Sequence, residues 1–145
     1  MRYNGKDENS RITDYGPQPF VTDIEKATCC NNNFRTALWT GCHLQLTLMC
    51  IPAGGEIGLE MHSDTDQFIR LESGGGIVKM GCSKENLNFE KCIGAGDAVF
   101  VPAGTWHNII NTGCSPIKVY SVYAPPKHPH GTVHKTKRIA DASGD

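Results

Sequence analysis

The sequence predicts an all-β fold, an antiparallel sandwich or barrel. Three observations carry this expectation. Short segments with strand character recur along the chain, turns rich in Gly and Pro separate them, and one short stretch alone has helical composition. Sixteen glycines and eight prolines in 145 residues supply the turns such a fold needs.

The elements follow in chain order. Asp23 to Thr28 is the helical stretch, with Thr22 as its N-cap. His43 to Leu48 alternates polar and apolar residues, as a half-buried strand does. Ile57 to Met61 is a second run. Gln67 to Leu71 leads into Glu72-Ser73-Gly74-Gly75-Gly76 and then Ile77 to Met80, which reads as strand, glycine hairpin turn, strand. Ala98 to Val101 ends at Pro102-Ala103-Gly104, a turn with proline and glycine suitably placed. Ile109-Ile110 and Ile117 to Tyr123 complete the set, with Asn111-Thr112-Gly113 between them.

Apolar residues make up 39% and charged residues 20%, a globular balance for one domain. The expected layout is an arm over 1–16, a barrel domain over 17–126 and a tail over 127–145. Lys and Arg (14) nearly cancel Asp and Glu (15). No global basic field, and no basic stripe with interleaved aromatics, speaks for nucleic acid or an anionic membrane as partner. No apolar run is long enough for a bilayer span. The polar start matches neither a secretory signal nor a transit helix. The seven cysteines contain no C-x-x-C pair, so a zinc ribbon or thioredoxin-like motif is excluded. They read as free, structural thiols of the buried kind in a reduced, cytoplasmic setting.

Two segments carry chemistry. In the first, Gly58 to Gln67, strand alternation would put Glu60, His62 and Asp64 on one face, either toward solvent or into a polar cavity. In the second, His107 begins a strand after a tight turn and shares a face with Ile109 and Asn111. It is either structural or a ligand. Nucleophilic catalysis lacks a G-x-S-x-G, and Gly74-Gly75-Gly76 lacks the Lys-Ser/Thr of a phosphate loop.

Gly96, Pro102, Gly104, His107 and Asn111 fill every fixed position of G-x5-P-x-G-x2-H-x3-N, and so resemble the second motif of the cupins. The first cupin motif, G-x5-H-x-H-x(3,4)-E-x6-G, is degenerate here. His62 takes the first His, Asp64 falls at the second, Gln67 best matches the Glu, and Gln67-x6-Gly74 keeps the final spacing. The resemblance covers roughly residues 44–126 and is to small, single-domain cupin-2 proteins of the phosphomannose-isomerase-like type.

The resemblance implies a jelly-roll (double-stranded β-helix) barrel with short arms and a site inside its mouth. It also implies that His62 and His107 are metal ligands, with Gln67 and Glu60 as further ligand candidates. The implied cofactor is a divalent ion, zinc first, with iron, manganese or nickel as alternatives. Asp64 is a ligand, a carboxylate orienting His62, or a loop cap. A dication would polarise a carbonyl or hydroxyl pair while a carboxylate not bound to it, Glu60 or Asp64, moves a proton, which is isomerase chemistry on a sugar or sugar phosphate. Iron-dependent oxygen chemistry and a non-catalytic binding or sensing module stand as alternatives. Arg70, Lys79 and Lys118 either hold an anionic group of a small polar substrate or lie on the solvated exterior. The tail has four basic residues against two acidic ones from Pro125 onward, and includes His128, His130 and His134. It reads as a solvated arm, or as a cover over the mouth. A homodimer is expected, because open strand edges favour pairing.

Overall fold

The computed structural model describes residues 14–144. Most of the expected N-terminal arm, residues 1–13, lies outside the described residues, as does residue 145. The elements are α1 (Ile24–Cys30), β1 (Arg35–Thr40), β2 (Gln45–Ile51), β3 (Asp66–Ser73), β4 (Gly75–Gly81), β5 (Phe89–Gly94), β6 (Ala98–Val101), β7 (Trp106–Ile110), β8 (Ile117–Ala124), β9 (Val133–His134) and α2 (Lys137–Ser143). A six-stranded sheet, β6-β3-β8-β2-β1-β9, faces a three-stranded sheet, β5-β4-β7. Every pairing is antiparallel. This is the antiparallel all-β fold the sequence predicts, in the jelly-roll form the resemblance implies.

Alternation along the strands builds the interior. On β8, Ile117, Val119, Ser121 and Tyr123 are buried while their neighbours are half-buried. Register places Ile51, Met49, Thr47 and Gln45 of β2 beside those four, and Leu71 and Gln67 of β3 beside Val119 and Tyr123. One end of the inner face is therefore aliphatic and the other polar. Ile69, Val78, Val99, Val101 and Ile109 extend the aliphatic core. At the polar end Gln45, Thr47, Gln67, Ser121, His62 and His107 are all buried. The alternation expected over His43 to Leu48 is present, but the polar members Gln45 and Thr47 turn inward and Leu44 is 42% exposed.

Several local expectations change. The N-cap of α1 is Asp23, not Thr22; its Oδ1 accepts from Lys26 N at 3.1 Å. Gly74 is not a hairpin turn, because β3 and β4 belong to different sheets. It carries the chain between them at φ +85, and a Cβ there would stand 2.6 Å from Pro116 O. Ile57 to Met61 is not a regular strand. Gly58 interrupts it at φ +103, leaving isolated bridges Glu56↔Ile110 and Glu60↔His107. All seven cysteines are free as expected, but six are exposed and Cys50 is intermediate, so they are not core thiols.

The tail is not a solvated arm. Val133 and His134 pair with Thr36 and Arg35 of β1. The Gln45 amide fixes the approach: Nε2 donates to His128 O (2.8 Å) and Thr40 Oγ1 (2.9 Å), and Oε1 accepts from Lys127 N (3.1 Å) and His128 N (2.9 Å). Helix α2 starts at the N-cap Thr136 and buries Ala140 in the core. Asp14 ties the other end down, accepting from Thr40 Oγ1 at 2.6 Å and Gly131 N at 3.0 Å.

Asn111, the last residue of the second motif, is a structural clamp. Its Nδ2 reaches Ile51 O (3.0 Å), Pro52 O (3.1 Å) and Ser115 O (2.9 Å), and its Oδ1 accepts from Gly113 N at 2.9 Å. Asn111→Ala leaves buried carbonyls unpaired and should lower unfolding stability by about 3 kcal/mol in urea melts.

Candidate metal centre

Backbone pairing brings the two motifs together. Glu60 N donates to His107 O at 3.0 Å, and His107 N donates to Glu60 O at 2.9 Å. The turn before β7 closes with Thr105 N on Pro102 O (3.1 Å), and its Gly104, at φ +84, donates its N–H to His62 O at 2.7 Å. A glycine suits that left-handed position. His62 is thus held against the turn that launches His107.

Glu60, His62 and His107 offer ligand atoms that all lie within 4.8 Å of one another. His62 and His107 are 6% and 1% exposed, and their ring centroids stand 5.4 Å apart. His107 Nδ1 lies 3.0 Å from Thr105 O. A carbonyl only accepts, so Nδ1 carries the proton and Nε2 presents a lone pair. That Nε2 is buried without a hydrogen-bond partner. His62 Nε2 lies 3.0 Å from Glu60 Oε1, yet outside hydrogen-bond geometry, and its Nδ1 is also unpartnered. Orphaned imidazole lone pairs beside one carboxylate fit a divalent cation.

Electrostatics agree with that donor set. Burial pushes the Glu60 carboxyl up, but contact with His62, then the fields of His107 and Arg35, hold it below the usual carboxylate range. Burial lowers His107, outweighing the pull of Thr105 O and Glu60. The result is an ionised acid beside a neutral imidazole, the protonation states a metal requires.

The other expected site residues separate. Gln67 points inward on β3, beside Tyr123. It is 5% exposed and its Oε1 has no partner, while its Nε2 makes a long 3.4 Å contact to Ser121 Oγ. It stays a candidate neutral donor. Asp64 does not join the cluster. It sits on an exposed bend, where its Oδ1 accepts from Thr65 Oγ1 at 3.3 Å. The run from Glu60 is not a strand that far, so alternation cannot carry Asp64 inward. Arg70, Lys79 and Lys118 occupy the outward positions of β3, β4 and β8 and do not face the cavity. Arg70 lies 3.7 Å from Glu72 and Lys79 4.0 Å from Glu90. Lys118 donates to Asn31 O (2.5 Å) and Asn32 Oδ1 (2.9 Å), fastening the end of α1 to the sheet.

Three functional candidates were not visible in the sequence pattern. Arg35, Tyr123 and His128 are buried together at the polar end. The Tyr123 ring lies 5.8 Å from that of His62 and 5.2 Å from that of His128. Burial raises the Tyr123 phenol to about 12. Burial lowers His128 to about 3, helped by the Arg35 charge. Alternation along β8 could have placed Tyr123 on the face of Ile117, Val119 and Ser121, and His128 was read only as part of the tail; Arg35 offers no such signal.

Comparison with known proteins agrees with this architecture. Residues 47–123 match the Cupin domain family. The uncharacterized protein YrkC of Bacillus subtilis (strain 168) is 57% identical over 145 residues, 100% of this chain and 78% of that one. The uncharacterized protein L612 of Acanthamoeba polyphaga mimivirus is 34% identical over 128 residues, 88% of this chain and 78% of that one. The crystal structure of BH2720 from Bacillus halodurans superposes with TM-score 0.89 at 57% identity, covering 90% of this chain and 99% of that one. With its fold, its complete second motif and a family match over more than half its length, the chain belongs to the Cupin domain family.

Proposed function

We propose that this cupin is a metal-dependent enzyme acting on a small polar molecule, with isomerisation of a sugar or sugar phosphate as the first reading. The observation that carries it is the buried, unpartnered Nε2 of His107, fixed as a lone pair by Thr105 O. His62, His107 and Glu60 would hold the ion, with Gln67 as a neutral fourth donor. When bound, a dication supplies Lewis-acid polarisation of a carbonyl or hydroxyl pair. The chain's own groups do the rest. Glu60, kept ionised, offsets the ion's charge as a ligand, or moves the proton if the ion is held by the imidazoles and Gln67 instead. Tyr123, its phenol raised by burial, keeps its proton. The Lys127 to Ser143 segment lies against the polar end, tied there by β9 on β1 and by the Gln45 amide.

Two imidazoles and one carboxylate also form the donor set of iron(II) oxygen chemistry, which makes that the second reading. Elemental analysis of the purified chain separates them. Zinc at one equivalent, with turnover under argon, supports the isomerase; iron with substrate-dependent oxygen uptake supports the second reading. A chain that contains no metal and takes none up on titration would leave only the binding module. Gln67→Glu adds a negative charge at the inward face of β3 and should tighten zinc binding at least tenfold in competition titrations. The homodimer belongs to the same proposal. The edge strands β6 and β5 carry Phe100 and Phe89, 69% and 47% exposed, and sedimentation equilibrium should give twice the chain mass.

A further inference from the structure

Four charged side chains line a cavity of about 360 Å³ beside the metal cluster: Arg35, Glu60, Lys137 and Asp141. Three of them have counterparts. Lys137 Nζ donates to Asp141 Oδ2 at 2.8 Å, one turn apart on α2. Glu60 stands with His62 in the cluster. Arg35 is 4% exposed, and among the described residues no carboxylate oxygen lies within 4.0 Å of it. Its Nη1 makes a long 3.4 Å contact to His134 Nδ1, its guanidinium lies 5.3 Å from the Phe34 ring centre, and the Tyr123 phenol is a further neutral neighbour. Arg35 Nε has no partner at all.

The nearest opposite charge to Arg35, the Glu60 carboxylate, acts on it from beyond ion-pair distance, so the buried cation is only partly compensated, and a guanidinium is a fixed fork of donors shaped for two oxygens. Here the fork stands at the polar end of the interior, in the wall that Glu60 also lines. Both ring nitrogens of His128 are unpartnered in the same region, as are Thr47 Oγ1 and Gln67 Oε1. Of these unsatisfied atoms it is Arg35 Nε that belongs to a residue in the cavity wall, and a buried donor left open beside a cavity marks a place for a polar ligand.

We propose that Arg35 is the anion-binding subsite of this cavity and that the small molecule handled beside it carries a carboxylate. This rests on the functional reading above and narrows its substrate class to a carboxylated sugar or similar acid. A carboxylate suits the subsite better than a phosphoryl dianion. Arg35 is the cation of these walls that makes no close ion pair, and the ionised Glu60 in the same wall disfavours a second negative charge on the ligand. Lys137 is committed to Asp141.

The test is an NMR titration of the full chain, stripped of metal by chelation, with sodium acetate at constant ionic strength. The chain has five arginines, and the Nε–Hε signal of Arg35 is assigned by its loss in Arg35→Lys or, should that variant fail to fold, by its slow exchange as a buried group. The expected result is a saturating shift of the Arg35 signal with a millimolar midpoint, no saturation at the other four, and no shift with acetamide. Followed at the His128 ring protons, acetate should bind Arg35→Lys at least tenfold more weakly, because an ammonium lacks the fork. A response equal to that of sodium chloride, or one shared by all five arginines, overturns the subsite. A phosphate midpoint below that of acetate overturns the carboxylate assignment. Because the titration uses metal-free protein, its failure is distinguishable from failure of the metal reading, which zinc titration decides separately.

Discussion

His107→Ala should weaken zinc binding by roughly three orders of magnitude, more than the 10- to 100-fold usual for outer partners of a ligand, while leaving the barrel folded. The reasoning begins at the backbone. His107 holds its place in β7 through main-chain bonds to Glu60 and register with Met80, and none of these depends on the imidazole. The ring's Nδ1 bond to Thr105 O is local. Its Nε2 has no partner to lose. Removing the ring therefore takes away a donor for the ion and little of the core, which lies at the aliphatic end. Far-UV circular dichroism and urea unfolding should match the wild type within about 2 kcal/mol, while competition against a zinc chelator reports the lost affinity. Asp64→Asn is the control and should bind zinc as the wild type does. Loss of the fold in His107→Ala would make the ring a structural element and remove the basis of the metal reading.

The metal-free protein should lose stability steeply on acidification, at up to about 1.4 kcal/mol per pH unit through His128 alone. His128 is held near 3 by burial, with the Arg35 charge next. Facing it are Tyr123 from β8, Arg35 from β1, the Glu60–His62 segment and His134 from β9. In the unfolded chain it titrates near 6.5. A depressed histidine means that unfolding takes up a proton, so its contribution is fully present above about 6.5 and declines as pH falls toward 3. The loss across that window is of the order of 4 kcal/mol. His107, also lowered, adds to the slope in the upper part of the window. Glu60, lowered by its neighbours, adds at the acid end, where its stabilising ionised form is lost. His128→Phe removes one titration without removing a hydrogen bond from the ring. Chemical denaturation between pH 7 and 4 should then show a slope lower by one proton. An unchanged slope would mean that His128 is protonated in the folded state.

Part of this was legible in the residues alone, for identifiable reasons. The turn Pro102-Ala103-Gly104 and the strands β3, β4, β6 and β8 were readable because their side chains alternate and their ends carry turn residues. β1 was not. Arg35-Thr36-Ala37-Leu38-Trp39-Thr40 has no period of two, and its register shifts at a bulge between Ala37 and Trp39. β5 was missed because most of its residues are exposed and two are charged. The pairing of His62 with His107 followed from the resemblance of two segments to known motifs. Arg35 could not follow, because a cation on an unrecognised strand looks like any surface residue. Arg70, Lys79 and Lys118 show the converse. They lie on strands that were recognised, but only the parity of each strand decides which face is wet, and the inner face here is itself polar at one end. Gln45 illustrates the same difficulty, since its amide is buried in order to hold the returning tail.

The position of β8 has a consequence for how the protein is made. It lies between β3 and β2 in the larger sheet, so the strands on either side, spanning residues 45–51 and 66–73, have no shared partner until residues 117–124 arrive. A nascent chain leaving the ribosome exposes those segments as unpaired edges while about 45 further residues are translated, for several seconds at ordinary elongation rates. Closure is then a long-range event, slow on topological grounds. Chaperone dependence during expression should accordingly be greatest for chains truncated just before β8.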